Sequence, residues 1–281
     1  MLQLSLLTTL TMIAFAGNSI LNRMALADEL IAPDAFAALR LTSGAIALAL
    51  LMGVRQRSLA WVRAGSVTGA AALAVYAVGF SFAYVRIDAG LGALLLFGVV
   101  QVTLFAAALL ARRETIHATR WLGTGLALVG LAVLVLPGLP GTTVAPSPAF
   151  AALMVVSALA WGFYTLAGRG AVDPLASTAA NFLFATPVAL AVWLIVPASL
   201  DASPRGVFLA LLSGVVTSGL GYALWYFILP QLRTTTAALA QLTVPLLAAL
   251  GGVLLLGESL TLSFAVAALL VLSGIGLSLR R

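Results

Sequence analysis

Apolar residues in this chain run in helix-length stretches, broken by short clusters of charge, proline and glycine. About 20 consecutive apolar residues suffice to cross a bilayer as a helix. Ten such stretches can be cut, at 2–26, 35–54, 64–84, 91–110, 118–136, 149–169, 175–198, 207–228, 238–256 and 262–279. Between them stand Asp28-Glu29, Arg55 to Arg63, Arg86 to Gly90, Arg112 to His117, a Pro/Gly-rich segment over 138–148, Asp173-Pro174, Asp201 to Gly206, Pro230 to Thr236 and Gly257-Glu258. The pattern predicts an all-α membrane protein with ten transmembrane helices.

Composition sharpens this. Hydrophobic residues make up 63% of the chain and charged residues 8%, where a soluble domain carries about a quarter charged. Ten spans leave no length for a soluble catalytic or nucleic-acid-binding domain. There is no cysteine, which excludes disulfides, thiolate catalysis and cysteine metal sites. One histidine, His117, excludes a multi-histidine metal centre. The N-terminus has neither a basic leader nor a small-residue cleavage site, so the first apolar stretch is expected to be a retained helix.

The net charge of +6 is a matter of topology, because arginine and lysine gather on cytoplasmic loops. Alternating the spans puts Arg55, Arg57, Arg63, Arg112, Arg113, Arg120, Arg169, Arg233, Arg280 and Arg281 on one side. Arg23, Arg86 and Arg205 fall on the other, and Arg40 lies inside the second span. Asp28, Glu29, Asp34, Asp88, Asp201 and Glu258 all share the arginine-poor side. Both termini are therefore expected in the cytoplasm of a multi-pass inner-membrane protein.

The chain also halves. Sliding 149–281 over 1–137, with 138–148 as the linker, aligns Glu114 with Glu258, Gly130 with Gly274 and Leu126 with Leu270. Each glutamate precedes the last helix of its half. Five helices per half is an odd number, so the halves enter the membrane from opposite sides. Inverted repeats of this kind build secondary transporters that bind substrate near the midplane, here in an expected central cavity.

Residues costly in lipid mark candidate sites. Asn18, Gln101 and Gln241 lie at depth in the first, fourth and ninth spans, and for Asn18 and Gln101 substrate binding and an interhelical hydrogen bond are equally good accounts. Asn22 and Asn181 are expected to act as interhelical glue. Tyr76, Phe80 and Tyr84 recur at helical spacing on one face, with Gly65 and Gly69 on nearly the same stripe. A ring-lined half and a slim half suit a cavity for flat apolar groups. Trp161 and Tyr164 lie one turn apart at mid-depth, away from the interfaces that rings prefer.

Candidate gate or hinge residues are Arg40, Pro187, Tyr222, Trp225 and Pro245. Arg40 falls within reach of the outer interface, where snorkelling or a structural pairing competes with attraction of a carboxylate. Tyr222 and Trp225 fall near the cytoplasmic end, where an aromatic belt competes with an inner gate. Pro187 and Pro245 interrupt their spans. Glu114 and Glu258 sit in turns, where helix capping explains them as well as gating does. No acid lies at a span centre, which argues against proton coupling. No Ser/His or Asp pair for catalysis and no phosphate-cradling loop with lysine occurs, so neither enzymatic activity nor ATP use is expected.

The segment Gly219-Leu220-Gly221-Tyr222-Ala223-Leu224-Trp225-Tyr226, then Ala237-Ala238-Leu239 to Pro245 and Gly257-Glu258-Ser259-Leu260, resembles the EamA-type pattern of the drug/metabolite transporter superfamily. Ala14-Phe15-Ala16-Gly17-Asn18, Arg40 and Glu114 repeat it in the first half, with Gln101 where the proline would stand. Phe80 to Gln101 looks most like the YddG-type exporters of aromatic and neutral amino acids. The resemblance implies ten helices around a central cavity and alternating access without ATP. It makes amino-acid export by facilitated diffusion or exchange the leading function. The alternatives are export of a purine, sugar derivative or drug, or a non-transporting membrane scaffold. Expected partners are a small-molecule substrate and the lipid bilayer, for a monomer that needs no cofactor, metal or nucleic acid.

Overall fold

The structure, a computed structural model, describes residues 2–110, 118–135, 147–168, 171–196, 202–232, 237 and 240–278. Glu114, His117 and most of the 138–148 linker lie outside the described residues, so their expected roles are not addressed by it. The described residues form no strand. They form α1 (Leu2–Leu26), α2 (Pro33–Gln56), α3 (Val67–Tyr84), α4 (Ala89–Leu110), α5 (Ala118–Val135), α6 (Pro148–Ala167), α7 (Pro174–Ile195), α8 (Pro204–Gln231), α9 (Thr243–Leu256) and α10 (Leu262–Ser278). These ten helices follow the ten apolar stretches closely. Seven are long and apolar enough to cross a membrane, and the shorter α5, α9 and α10 are equally apolar.

The boundaries have local causes. Pro33, Pro148, Pro174 and Pro204 open their helices, where the missing N–H is no loss. Ser66, Asp173 and Ser203 accept from the N–H groups of Gly69, Ala176 and Gly206, capping α3, α7 and α8. Bulky apolar side chains such as Leu6, Leu50, Phe163, Phe208, Leu254 and Leu269 stay exposed around the bundle, as a lipid-facing surface requires.

The packing is symmetric in sequence order. α2 packs on α7, α4 on α9 and α5 on α10. α3 packs on α6 and α7 as α8 packs on α1 and α2, and α4 packs on α6 as α9 packs on α1. Exchanging the first five helices with the last five leaves these pairings unchanged.

Contacts among the described loops fall into two groups, one at each end of the bundle. At one end, Arg23 at the end of α1 reaches Asp88 before α4 and Glu258 before α10, each at 3.3 Å. Both Glu258 carboxylate oxygens accept from the Ala89 N–H at 3.0 Å, capping α4. Burial holds the Glu258 carboxyl above the usual glutamate range, Asp88 adds to this, and Ala89 and Arg23 only partly counter it. At this end too, the Ser203 N–H donates to the Leu30 carbonyl at 2.8 Å.

At the opposite end Arg55 and Gln56 on α2 hold Asp173 before α7, at 3.1 and 3.3 Å. Burial raises the Asp173 carboxyl, but the Ala176 N–H and Arg55 outweigh it and leave the group below its ordinary value. A carboxylate shifted this way stabilises the fold above its unfolded value and loses that contribution as pH falls through the depressed one. Asp173→Asn is therefore expected to cost about 1 kcal/mol at neutral pH. The penalty should vanish in acid, as read by melting temperature of the two proteins against pH. A constant difference across that range would show that Asp173 carries no such linkage.

Candidate functional site

The middle of the bundle is closed by rings from both halves. The Trp161 ring on α6 stands 4.8 Å from that of Tyr76 on α3, 5.1 Å from Tyr222 on α8 and 5.3 Å from Tyr164, on which it stacks. Phe15 on α1 and Phe182 on α7 each meet Tyr222 edge-on at 5.7 Å. Edge and tilted contacts at 4.5–7 Å are favourable ring geometries. Tyr76, Tyr164 and Tyr222 are buried among protein neighbours rather than exposed to lipid.

Arg40 on α2 lies within this cluster. It is only 1% exposed, which corrects the expectation of a side chain snorkelling at the outer interface. Its Nε donates to Ser218 Oγ at 3.0 Å and its Nη2 to Tyr76 Oη at 3.1 Å. The guanidinium carbon sits 5.2 Å from the Tyr76 ring centroid and 5.1 Å from that of Phe80. Nη1 is buried with no partner among the described residues, and no described carboxylate pairs with Arg40.

The surrounding polar atoms are supplied by an irregular stretch of α8. Residues Ser213–Leu220 wind as a π-helix, a local widening often found at functional sites. Ser213 Oγ and Thr217 Oγ1 donate to Asn18 Oδ1 at 2.8 and 3.2 Å. Asn18 Nδ2 lies 3.5 Å from Tyr76 Oη. One hydroxyl, Tyr76 Oη, thus touches both the Asn18 amide and the Arg40 guanidinium. Ser157 Oγ donates to the Tyr76 carbonyl at 2.8 Å, tying α6 to α3 beneath the ring.

The sequence-predicted residues divide clearly. Asn18, Arg40, Tyr76, Phe80, Trp161, Tyr164 and Tyr222 come together. Tyr222 and Trp225 are buried against Phe15, so they do not form a lipid-facing aromatic belt. Tyr84 stacks edge-on against Phe80 but donates to the Ala89 carbonyl at 3.3 Å, near the Arg23–Glu258 end. Gln101 and Gln241 are half-buried, and neither joins this hydrogen-bond network among the described residues. The Gly65/Gly69 stripe does not face a cavity: Phe184 and Asn181 of α7 fill it. Asn181 Oδ1 accepts from the Ser66 N–H, and Asn22 bridges Asn18 and Ser81, as interhelical glue should. Pro187 stands inside a continuous α7. Pro245 does not break its helix but lies in the first turn of α9, after a turn at Leu242.

Sequence reasoning missed Ser213, Thr217, Ser218, Phe15 and Phe182. The signal for the first three was a hydroxyl- and glycine-rich run in the middle of an apolar span. It also missed Asp34, in the first turn of α2, whose two carboxylate oxygens are buried without partners.

Known proteins match this chain along most of its length. The uncharacterized protein PA1977 of Pseudomonas aeruginosa is 53% identical over 274 residues, 98% of this chain and 93% of that protein. The uncharacterized transporter YoaV of Bacillus subtilis is 25% identical over 260 residues, 87% of this chain and 86% of its own. One solved crystal structure of a protein, 18% identical, superposes with a TM-score of 0.66 over 96% of this chain and 97% of that one, which supports the fold alone. The EamA-like transporter family pattern matches residues 149–280, the second set of five helices. The second set of five helices is therefore an EamA-like transporter domain.

Proposed function

We propose that the protein exports small amphipathic metabolites, with aromatic and other neutral amino acids as the leading substrates. The observation that carries this is the meeting of Tyr76, Trp161 and Tyr222 from α3, α6 and α8. Rings drawn from both halves and held at stacking distance form a site that a flat solute enters by taking the place of ring–ring contacts. The two halves, 1–137 and 149–281, then rock as inverted repeats about this centre, in an inner membrane with both termini cytoplasmic. The exchange symmetry of the packing supports such motion, because it supplies two related arrangements from one set of contacts. The finer resemblance to YddG-type exporters points to the same substrates. No described carboxylate joins the ring cluster, so downhill movement or exchange is the favoured mode.

Protein reconstituted in liposomes should move labelled phenylalanine or tryptophan down a gradient without ATP or a proton gradient. Trp161→Ala removes one ring contact on each of three sides and is expected to lower the transport rate about tenfold. Absence of flux for every amino acid tried would overturn the substrate class. Flux that collapses with a pH gradient would overturn the uncoupled mode, and wild-type rates in Trp161→Ala would return that ring to packing.

A further inference from the structure

The central cluster holds a charge that the aromatic reading does not use. A guanidinium stays protonated in proteins, so Arg40 cannot neutralise itself as a buried lysine or carboxylate can. Bringing such an ion into a low-dielectric interior is strongly unfavourable unless it is paired. Two neutral hydroxyls, Ser218 and Tyr76, and the faces of two rings offset only part of this. Nη1 carries donors with no acceptor, in a side chain 1% exposed. The remaining ligand must therefore be an acceptor, and an anion satisfies both the empty donor and the uncompensated charge.

Resting on the transport reading above, we infer that Arg40 Nη1 is the docking point for a substrate carboxylate. The amine of an amino acid has no matching group. No described acid pairs with Arg40 or bonds to Asn18, Tyr76 or Ser218, and an ammonium brought beside the guanidinium meets like charge. The recognised chemistry is a monocarboxylate on an apolar or aromatic body, with the amine dispensable. A carboxylate oxygen on Nη1 makes a charge-assisted bond, the stronger kind, while the body lies among Tyr76, Phe80 and Trp161.

The test compares L-phenylalanine, 3-phenylpropionate, L-phenylalaninamide and acetate, by thermal shift of purified protein and by liposome flux. Wild type is expected to take 3-phenylpropionate at least as well as phenylalanine. Phenylalaninamide should be weaker by roughly tenfold to a hundredfold, the worth of one hydrogen bond to a charged group. Arg40→Gln should level these differences, and Arg40→Lys should keep the carboxylate preference in weakened form. If Arg40→Gln does not fold, the wild-type panel decides alone. Equal handling of phenylalanine and phenylalaninamide overturns the Arg40 assignment and leaves the aromatic reading standing. Arg40-dependent binding of acetate without any of the aromatic compounds upholds Arg40 and overturns the aromatic reading. Failure of every carboxylate overturns both.

Discussion

Replacing Gly214 by alanine is expected to destabilise the protein by about 3 kcal/mol and to abolish most transport. Gly214 lies where α8 crosses α2, and a Cβ there would fall on the Arg40 carbonyl and the Ser43 hydroxyl. The hydroxyl can rotate away, but the carbonyl belongs to helix backbone and cannot. The crossing is tight from the other side as well: a Cβ on Gly44 would lie 2.8 Å from the Phe182 ring and 3.0 Å from the Gly214 carbonyl. Forcing the helices apart moves Ser218 away from Arg40, so the guanidinium loses a partner as the packing loosens. Gly53, on the same helix as Gly44, has nothing within 4 Å of an added Cβ. Gly53→Ala should therefore be neutral, or stabilising by up to about 1 kcal/mol from helix propensity. Melting temperatures in detergent, read with flux, check the pair. Equal melting of Gly214→Ala and wild type would mean that the α2–α8 crossing is not close.

The helices were legible because lipid imposes one rule everywhere: about 20 apolar residues per crossing, then polar punctuation. Arg23, Asp88 and Glu258 could be assigned to one end by counting, and they meet there. Depth within a span was less legible. Arg40 lies near the start of its span in sequence, so it read as interfacial, yet α2 sits inside the bundle with neighbours on several sides. Tyr222 and Trp225 misled in the same way, since distance from a loop does not say whether a ring faces lipid or protein.

Small residues were the other blind spot. The run Ser213-Gly214-Val215-Val216-Thr217-Ser218 stands out by its hydroxyls in an apolar span, but not by the partners they meet. Ser213 and Thr217 share a face at i, i+4 spacing and both reach Asn18, while Ser218 reaches Arg40 from the same π-helical stretch. Helical spacing puts those two on one face but does not say which helix that face meets. Gly65 and Gly69 permit a close helix approach, but a slim face on one helix does not reveal which bulky residue fills it.

Asn18→Asp is expected to keep the fold intact and to abolish carboxylate binding. The substitution preserves shape. The new carboxylate keeps one oxygen where Ser213 and Thr217 already donate, and its second oxygen accepts from Tyr76 Oη in place of the amide contact. Tyr76 Oη in turn accepts from Arg40 Nη2 at 3.1 Å. Anion and cation then stand on either side of one phenol. At a separation of roughly 6 Å and an effective dielectric near 20, their attraction is about 3 kcal/mol, comparable with the penalty of burying a carboxylate that accepts several hydrogen bonds. Melting should accordingly stay near wild type, while an internal counter-ion removes the charge that draws in a substrate carboxylate, and flux falls at least about tenfold. Asn18→Leu provides the contrast. It strands the Ser213 hydroxyl in a buried site and should cost about 2 kcal/mol without supplying any charge, so its loss of flux comes with lower melting. If Asn18→Asp transports phenylalanine as wild type does, the charge on Arg40 is already balanced and its spare donor is not where the substrate binds.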